Sequence, residues 1–190
     1  ELTTEEIIRG LQIAFRNNRI VPIFAGNPIK NSGLKSVLDF IVDIAPDPTF
    51  SLENAVSDTD ERVTVKFNPD EDMKALVVKT SSDQFSGKLS YIKVVTGKLN
   101  SDTEVFNIQS DKKEKIGKIY RSIGKKLEEV KTLYAGDIGI AVKLPLAKTS
   151  DTLATNNNTL PFIKLRHPEP VYSMAVSAKD KKEEDKMSEM

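Results

Sequence analysis

The sequence predicts a mainly β protein, in which a small closed β-barrel follows a short α/β fragment. Residues 73–168 contain short strand-like runs separated by glycine, Asn-Ser and Asp-Lys turns, a pattern typical of a sandwich or barrel. Residues 1–46 contain an amphipathic run, a continuous apolar run and a second amphipathic run, which is the order of an α/β unit. With 190 residues and 38% hydrophobic content, the chain has enough apolar material to bury a core.

The first 46 residues predict helix, buried strand and helix. Thr3 is the expected N-cap of the first helix, because Glu6 three residues later completes a capping box. The apolar run at 20–26 predicts a strand buried on both faces of a parallel sheet. A second helix is expected at about 33–44 and must end before Pro46. The parallel strands that such a unit requires are missing from this fragment.

Residues 47–72 carry many more acidic than basic side chains and few large apolar ones. We expect a solvated linker or long loop here, and a domain boundary between the α/β fragment and the barrel.

The barrel is predicted over residues 73–168. In this region, the apolar positions change parity between Tyr91 and Ile92, which indicates a bulge or a barrel corner. The strand-like runs lie at 73–80, 88–97, 103–110, 114–122, 127–144 and 160–165.

Residues 169–190 predict an apolar strand at about 171–178, followed by a highly charged helix start. Neither has a partner within this stretch. Together with the helix signal in the first residues, the tail predicts that the chain is a piece of a longer protein and that 169–190 begins a further domain.

Composition excludes several classes of function. The 28 basic and 28 acidic residues give zero formal net charge, so we expect no general attraction to DNA or to a membrane surface. No apolar run approaches the roughly 20 residues of a membrane span, and the acidic first residues are unlike a signal peptide. The absence of cysteine excludes disulfides and thiolate chemistry, and fits a cytoplasmic protein.

We expect no catalytic residue, metal site or cofactor in this chain. The runs "SGKLS" and "SGLKS" lack the upstream glycine and the Gly-Lys-Ser/Thr step of a phosphate loop. No Asp is followed by Gly three residues later, and no Lys by Asp two residues later, so the other GTPase signatures are missing. His167 has no nucleophile or acid near it in sequence and is interpreted as a turn residue. Asp83, Asp137 and Asp151 are interpreted as turn residues as well.

Basic residues concentrate in the middle of the predicted barrel. Residues 84–131 contain eleven Lys or Arg and six Asp or Glu. Few aromatic residues lie between them, so the pattern favours contact with the backbone of a structured RNA over single-strand stacking. A solvated lysine-rich rim explains the pattern equally well. The candidate RNA contacts are Lys88, Lys98, Lys112, Lys113, Lys115, Lys118, Arg121, Lys125 and Lys126.

Read in order, the segments resemble elongation factor G, a translational GTPase, over nearly the whole chain. The resemblance rests on "VPIFAGNPIKNSGLKSVLDFIVDIAPDP", "DQFSGKLSYIKVVTGKLNS", "KIGKIYR", "YAGDIGIAV", "SDTLAT" and "PEPVYSMAVSAKDKKEEDKM". It implies the end of the G domain, a closed barrel of the translation-protein type called domain II, and the start of domain III. Ribosomal protection proteins and the release factor GTPase share this layout.

The resemblance also implies a function. The barrel would contact RNA of the small ribosomal subunit and couple the nucleotide state of the parent's own G domain to domain III during translocation. GTP and Mg²⁺ would bind elsewhere in the parent.

Two departures from the family favour an alternative. Gly26, Asn27 and Pro28 match the fifth G motif, usually Gly-Ser-Ala, whose backbone helps to hold guanine, but Pro28 has no N–H to donate. The family's His-Ala-Asn-x-Arg run is replaced by residues 123–127. The alternative is a structural or protein-interaction barrel in a divergent relative without GTPase function, or the barrel of a ribosomal protection or release factor GTPase. A loop that has rearranged while keeping its affinity explains the departures equally well.

Overall fold

The computed structural model of the chain describes residues 2–50, 52–57, 59–83, 87–124, 126–166 and 168–178. Two α-helices come first, α1 Thr4–Arg16 and α2 Leu34–Asp43, followed by a 3₁₀ turn at Pro48–Phe50. None of the helices in the described part of the chain has the length and apolar content needed to cross a membrane.

Helix α1 begins at the predicted capping box. The Glu6 amide donates to the Thr3 hydroxyl at 3.3 Å, and the Thr3 amide donates to the Glu6 carboxylate at 2.8 Å. The Thr3 hydroxyl also donates to the Glu6 carboxylate, at 3.0 Å, and the two hydrogen bonds from the Thr3 amide and hydroxyl lower the pKa of Glu6. At its other end, α1 packs on α2 through an edge-on contact of Phe15 with Phe40, whose ring centroids are 5.1 Å apart. Phe24 contacts Phe40 in the same way at 5.3 Å.

The expectation of a buried strand at 20–26 is wrong. These residues form no strand, and the side chains of Val21 and Ile23 are 84% and 93% exposed. No described strand lies alongside them, so their backbone groups have no ladder to join and their apolar side chains have no sheet to pack in.

The remainder of the described chain is mainly β, as predicted, and all of its strand pairs are antiparallel. The largest sheet has eight strands in the order β7-β6-β12-β3-β4-β11-β8-β9. Two further sheets pair β1 with β2 and β5 with β10. The strands are β1 Leu52–Val56, β2 Arg62–Lys66, β3 Lys74–Asp83, β4 Gly87–Thr96, β5 Lys98–Asn100, β6 Glu104–Asn107, β7 Lys112–Lys115, β8 Ile119–Ile123, β9 Lys126–Val130, β10 Thr132–Tyr134, β11 Ile138–Val142 and β12 Thr152–Ala154.

One core gathers apolar side chains from most of these strands, as in a barrel. The fully buried members include Ile92, Leu99, Ile119, Leu133 and Leu153. The end strands of the large sheet, β7 and β9, do not pair with each other, so the predicted closure is not seen as a strand ladder among the described residues.

The irregularity predicted near Tyr91 is confirmed. Val77 pairs with Ile92 while Lys79 pairs with Tyr91, so Val78 on β3 is the extra residue of a bulge.

The interpretation of residues 47–72 as a linker or loop is wrong for 52–66, which form the β1–β2 hairpin. Ala55 is fully buried, and a second core joins it to Phe67 and to Val95 of β4. Lys93 of β4 binds Glu53 of β1 at 2.6 Å. The acidic composition hid a partial alternation, in which Glu53, Ala55 and Val65 are at least half-buried while Asn54, Thr64 and Lys66 are exposed.

The two strands predicted last along the chain, at 160–165 and 171–178, are not formed. Within 160–165, Phe162 forms an isolated bridge to Ala55, and no strand is present. Residues 171–178 are not a strand, and Val171 is fully exposed, because no described strand lies beside them. His167 and residues 179–190 lie outside the described residues.

Candidate functional site

An open cleft of about 680 Å³ lies beside strands β7, β8, β9 and β11. Its apolar floor is formed by half-buried side chains of β8, β9 and β11, and lysines from three segments surround it. The lining residues are Asp102, Lys115, Gly117, Lys118, Tyr120, Leu127, Val142 and Lys143.

Strand pairing explains how the cleft forms. Ile119 of β8 pairs with Ala141 of β11 and both lie in the core, so the next residue, Tyr120, lies on the outer face of the sheet. Lys115 ends β7, and Lys118 comes just before β8, so the short connection between these strands carries both lysines to the cleft.

The cleft lysines differ in their partners. Lys118 donates to Glu129 at 2.7 Å, and this hydrogen bond, together with the carboxylate's charge, raises the pKa of Lys118. Lys115 and Lys143 are exposed and form no ion pair with any residue that the structure describes. The rim therefore offers two ammonium groups without an ion pair among the described residues and one that is partly neutralised, while Asp102 adds one carboxylate to the lining.

Of the predicted RNA contacts, only Lys115 and Lys118 line this cleft. Three others bind the chain's own carboxylates: Lys113 with Glu104 at 3.1 Å, Arg121 with Asp137 at 2.7 Å, and Lys126 with Glu128 at 3.0 Å. Lys88 donates to the Pro145 carbonyl at 3.0 Å, Lys98 lies opposite Tyr134, Lys112 begins β7, and Lys125 lies outside the described residues.

Sequence reasoning missed Lys143, Tyr120 and Leu127 as cleft residues. Lys143 follows a strand as a single lysine outside the basic region, and no charge run marks it. Only the pairing of β11 with β8 brings it beside Lys118.

Two buried carboxylates lie behind the cleft. Glu114 of β7 is 5% exposed and accepts hydrogen bonds from the amides of Leu146 at 2.8 Å and Ala147 at 3.3 Å. Asp151 accepts from the Lys148 amide at 2.8 Å and from the Asn107 side chain at 2.9 Å.

The predicted turn roles of two aspartates are confirmed. Asp151 accepts from the amide three residues before it, and Asp137 does the same with the Tyr134 amide at 2.9 Å.

The turn at Gly26, Asn27 and Pro28 is compact. The amides and carbonyls of Asn27 and Ser32 hydrogen-bond to each other at 2.9 and 3.1 Å. A side chain at Gly26 would meet the Ser32 carbonyl, and Gly33 has a φ of +78° while lying against Gly26. Both positions therefore require glycine.

This turn already uses its own backbone donors. The Asn27 side-chain oxygen accepts from the amides of Ile29 and Lys30, both at 3.1 Å, and the Asn27 amide donates to Ser32. Pro28 has no N–H. The amides of Asn27, Ile29 and Lys30 therefore all have partners within the turn.

Residues 72–156 match the family model described as elongation factor G domain 2. The likeness covers these residues, and over them the chain is similar to elongation factor G domain 2. This domain is not itself catalytic in its family. The match contains the whole cleft together with Glu114 and Asp151, whereas the turn at Gly26 lies before it.

A solved structure supports the fold beyond domain 2. A crystal structure of a Thermus thermophilus protein superposes with a TM-score of 0.73 at 22% sequence identity. The superposition covers 100% of this chain and 26% of that one, so the chain spans about a quarter of its length.

Proposed function

We propose that the chain is a non-catalytic part of an elongation factor G-like translation factor, and that its domain 2 binds RNA of the small ribosomal subunit. The observation that carries the proposal is the cleft, where Lys115 and Lys118 flank the half-buried ring of Tyr120. Ammonium groups bind phosphates, and an aromatic ring beside them can support a sugar or base.

We also propose that domain 2 couples the nucleotide state of a G domain to domain III during translocation. In this proposal, GTP and Mg²⁺ bind in other parts of a longer cytoplasmic protein, and this chain has no cofactor of its own. A chain of contacts that leads from α1 to domain 2 through residues 48–50 supports such a coupling. Pro48 lies against Gly136, and Arg16 of α1 lies over the Phe50 ring at 3.8 Å.

Binding of the chain to purified small ribosomal subunits, measured over a series of salt concentrations, tests the RNA contact. Replacing Lys115 and Lys118 together by Ala should weaken binding and lower the salt slope by about one unit for Lys115 and by less for Lys118, because Lys118 already binds Glu129. Extending the change to Lys112 and Lys113 should lower the slope by less per residue, because Lys113 already binds Glu104.

The matched control replaces Lys30 and Lys66 by Ala, which removes the same charge outside domain 2. This control should leave the slope unchanged. Equal slopes for the cleft variant and the parent chain would refute the RNA contact.

The second candidate function is a barrel used for protein interaction in a relative that works without GTP. A ribosomal protection protein or release factor GTPase is a further possibility within the same layout. The turn at Asn27 favours the nucleotide-independent candidate, because its amides are already bound.

The test is binding of a fluorescent GTP analogue to a longer protein that contains this chain, beside the variant with Asn27→Ser and Pro28→Ala. Binding by the variant alone would support the nucleotide-independent candidate. Tight binding by the unchanged protein would refute it.

A further inference from the structure

The third lysine of the cleft, Lys143, belongs to a loop that is fixed from inside the barrel. The loop spans residues 143–151, between β11 and β12. Lys143 has a φ of +59°, in the left-handed region that few side chains adopt, so its surroundings must hold it there. Leu144 and Ala147 are fully buried in the core.

Consecutive amides of this loop point at carboxylates. The Leu146 and Ala147 amides donate to Glu114, and the next amide, at Lys148, donates to Asp151. Buried carboxylates make strong hydrogen bonds with backbone amides because little water competes. Asn107 lies between the two carboxylates and donates to both, at 2.9 Å to Asp151 and 3.5 Å to Glu114.

Glu114 is also the neighbour of a cleft residue. It alternates on β7 with Lys115, so the strand presents a carboxylate to the interior and a lysine to the cleft. The carboxylate thus ties the strand that carries Lys115 to the loop that carries Lys143. The separation of these two ammonium groups depends on this connection.

We propose that Lys143 is a further phosphate-binding residue of the cleft and that the buried Glu114 is the positioning residue that holds it there. The inference rests on the proposed RNA contact and adds a residue pair that no charge pattern marks. Lys143 binds the anion, while Glu114 acts only through the loop.

Glu114→Gln gives a test in which the change in net charge and the loss of loop positioning predict opposite effects on RNA binding. The substitution makes the chain more positive, so simple electrostatics predicts tighter binding to RNA. An amide at position 114 is a weaker acceptor for two amides, so the loop loosens and binding to purified small ribosomal subunits should weaken. The salt slope should fall by up to about one unit, as for the loss of one phosphate contact.

Glu129→Gln is the matched control. It removes one acidic charge beside the cleft but frees Lys118, so binding should tighten. Lys143→Asn removes the charge, and asparagine tolerates the positive φ at this position. Its salt slope of binding should equal that of Glu114→Gln. Lys143→Arg should retain binding.

A double variant separates positioning from general destabilisation. If Glu114 acts through Lys143, then Glu114→Gln combined with Lys143→Asn should bind no more weakly than Lys143→Asn alone. If Glu114→Gln does not fold, the same cycle is measured with Glu114→Asp, which keeps the charge and shortens the reach.

Tighter or unchanged binding by a folded Glu114 variant would overturn the positioning role, and an unchanged slope in Lys143→Asn would overturn the phosphate contact. If Lys115 and Lys118 variants still weaken binding in that case, the proposed function stands and only this inference fails. If none of the cleft variants changes binding, the proposed function fails too.

Discussion

Lys74, the first residue of β3, holds its charge in the protein interior. It is 8% exposed, and its ammonium lies 4.5 Å from the centre of the Phe162 ring. Burial lowers the pKa of Lys74 from 10.5 to about 8. Between these values the unfolded chain binds more protons than the folded one, so the contribution of Lys74 to stability rises with pH from 8 to 10.5 and is least favourable below 8.

We therefore expect Lys74→Met to raise the free energy of unfolding by about 1–3 kcal/mol at pH 7, because the buried charge is removed and the side-chain volume is kept. The advantage should shrink as the pH approaches 10.5. Denaturant unfolding of both proteins at pH 7 and pH 10 measures the difference. The exposed Lys98→Met is the control, and an equal gain in that variant would contradict the explanation.

For single residues, contacts within one helical turn could be predicted from the sequence, and contacts between distant residues could not. Thr3 and Glu6 form the expected capping box because both partners lie within one helical turn. The burial of Lys74 depends on Phe162, which lies far along the chain and arrives only when the barrel is complete. Lys143 is likewise distant in sequence from Lys115 and Lys118, which it joins only in the folded cleft.

Among the strands, β7 shows most clearly that lysines can have a structural role. It is one edge of the eight-stranded sheet. Its four residues are Lys112, Lys113, Glu114 and Lys115. Lysines and inward charges on edge strands prevent pairing with another molecule's edge. This gives the lysines of β7 a role apart from RNA, and explains why a basic run need not mark a binding surface.

Replacing Lys112 and Lys113 together by Ile should promote association, because the edge would then present apolar side chains beside free backbone groups. Light scattering and size-exclusion chromatography should show loss of monomer at high concentration. Replacing the same pair by Arg keeps the charge and should keep the monomer. A monomeric Ile variant would rule out edge protection by these two lysines.

Elements were predicted well where one strand's pattern decides the outcome. The bulge opposite Tyr91 is an example, because the parity change is visible in β4 itself. The strand expected at 20–26 failed because a parallel strand requires neighbours, and its own apolar character does not supply them.

Across the whole molecule, residues 160–163 hold the β1–β2 hairpin to the barrel. The Val56 amide donates to the Pro161 carbonyl and the Ile163 amide to the Asn54 carbonyl, both at 2.9 Å. Phe162 is 2% exposed and its amide donates to Thr152 of β12 at 2.8 Å. Phe162 thus joins the barrel to a hairpin whose acidic composition had predicted a linker.

Phe162→Ala should cost about 3–5 kcal/mol of stability, because it leaves a cavity between the hairpin and the sheet. It should also speed proteolysis in the turn between β1 and β2 relative to cleavage in the barrel. Limited proteolysis with mass spectrometry would locate the cuts. Tyr172→Ala, at a 77% exposed position, is the control and should change neither quantity. A hairpin as resistant in Phe162→Ala as in the parent would show that other contacts hold it.

Side chains along β7 alternate between the core and the cleft, and this limits which insertions and deletions the turn before β7 can tolerate. Glu114 faces the core while Lys115 faces the cleft, so inserting or deleting one residue in the turn before β7 would exchange the two orientations. A lysine would enter the core, and the loop that carries Lys143 would lose its acceptor. Two-residue insertions preserve the alternation, so we expect a screen of length variants in this turn to recover even changes and to lose odd ones.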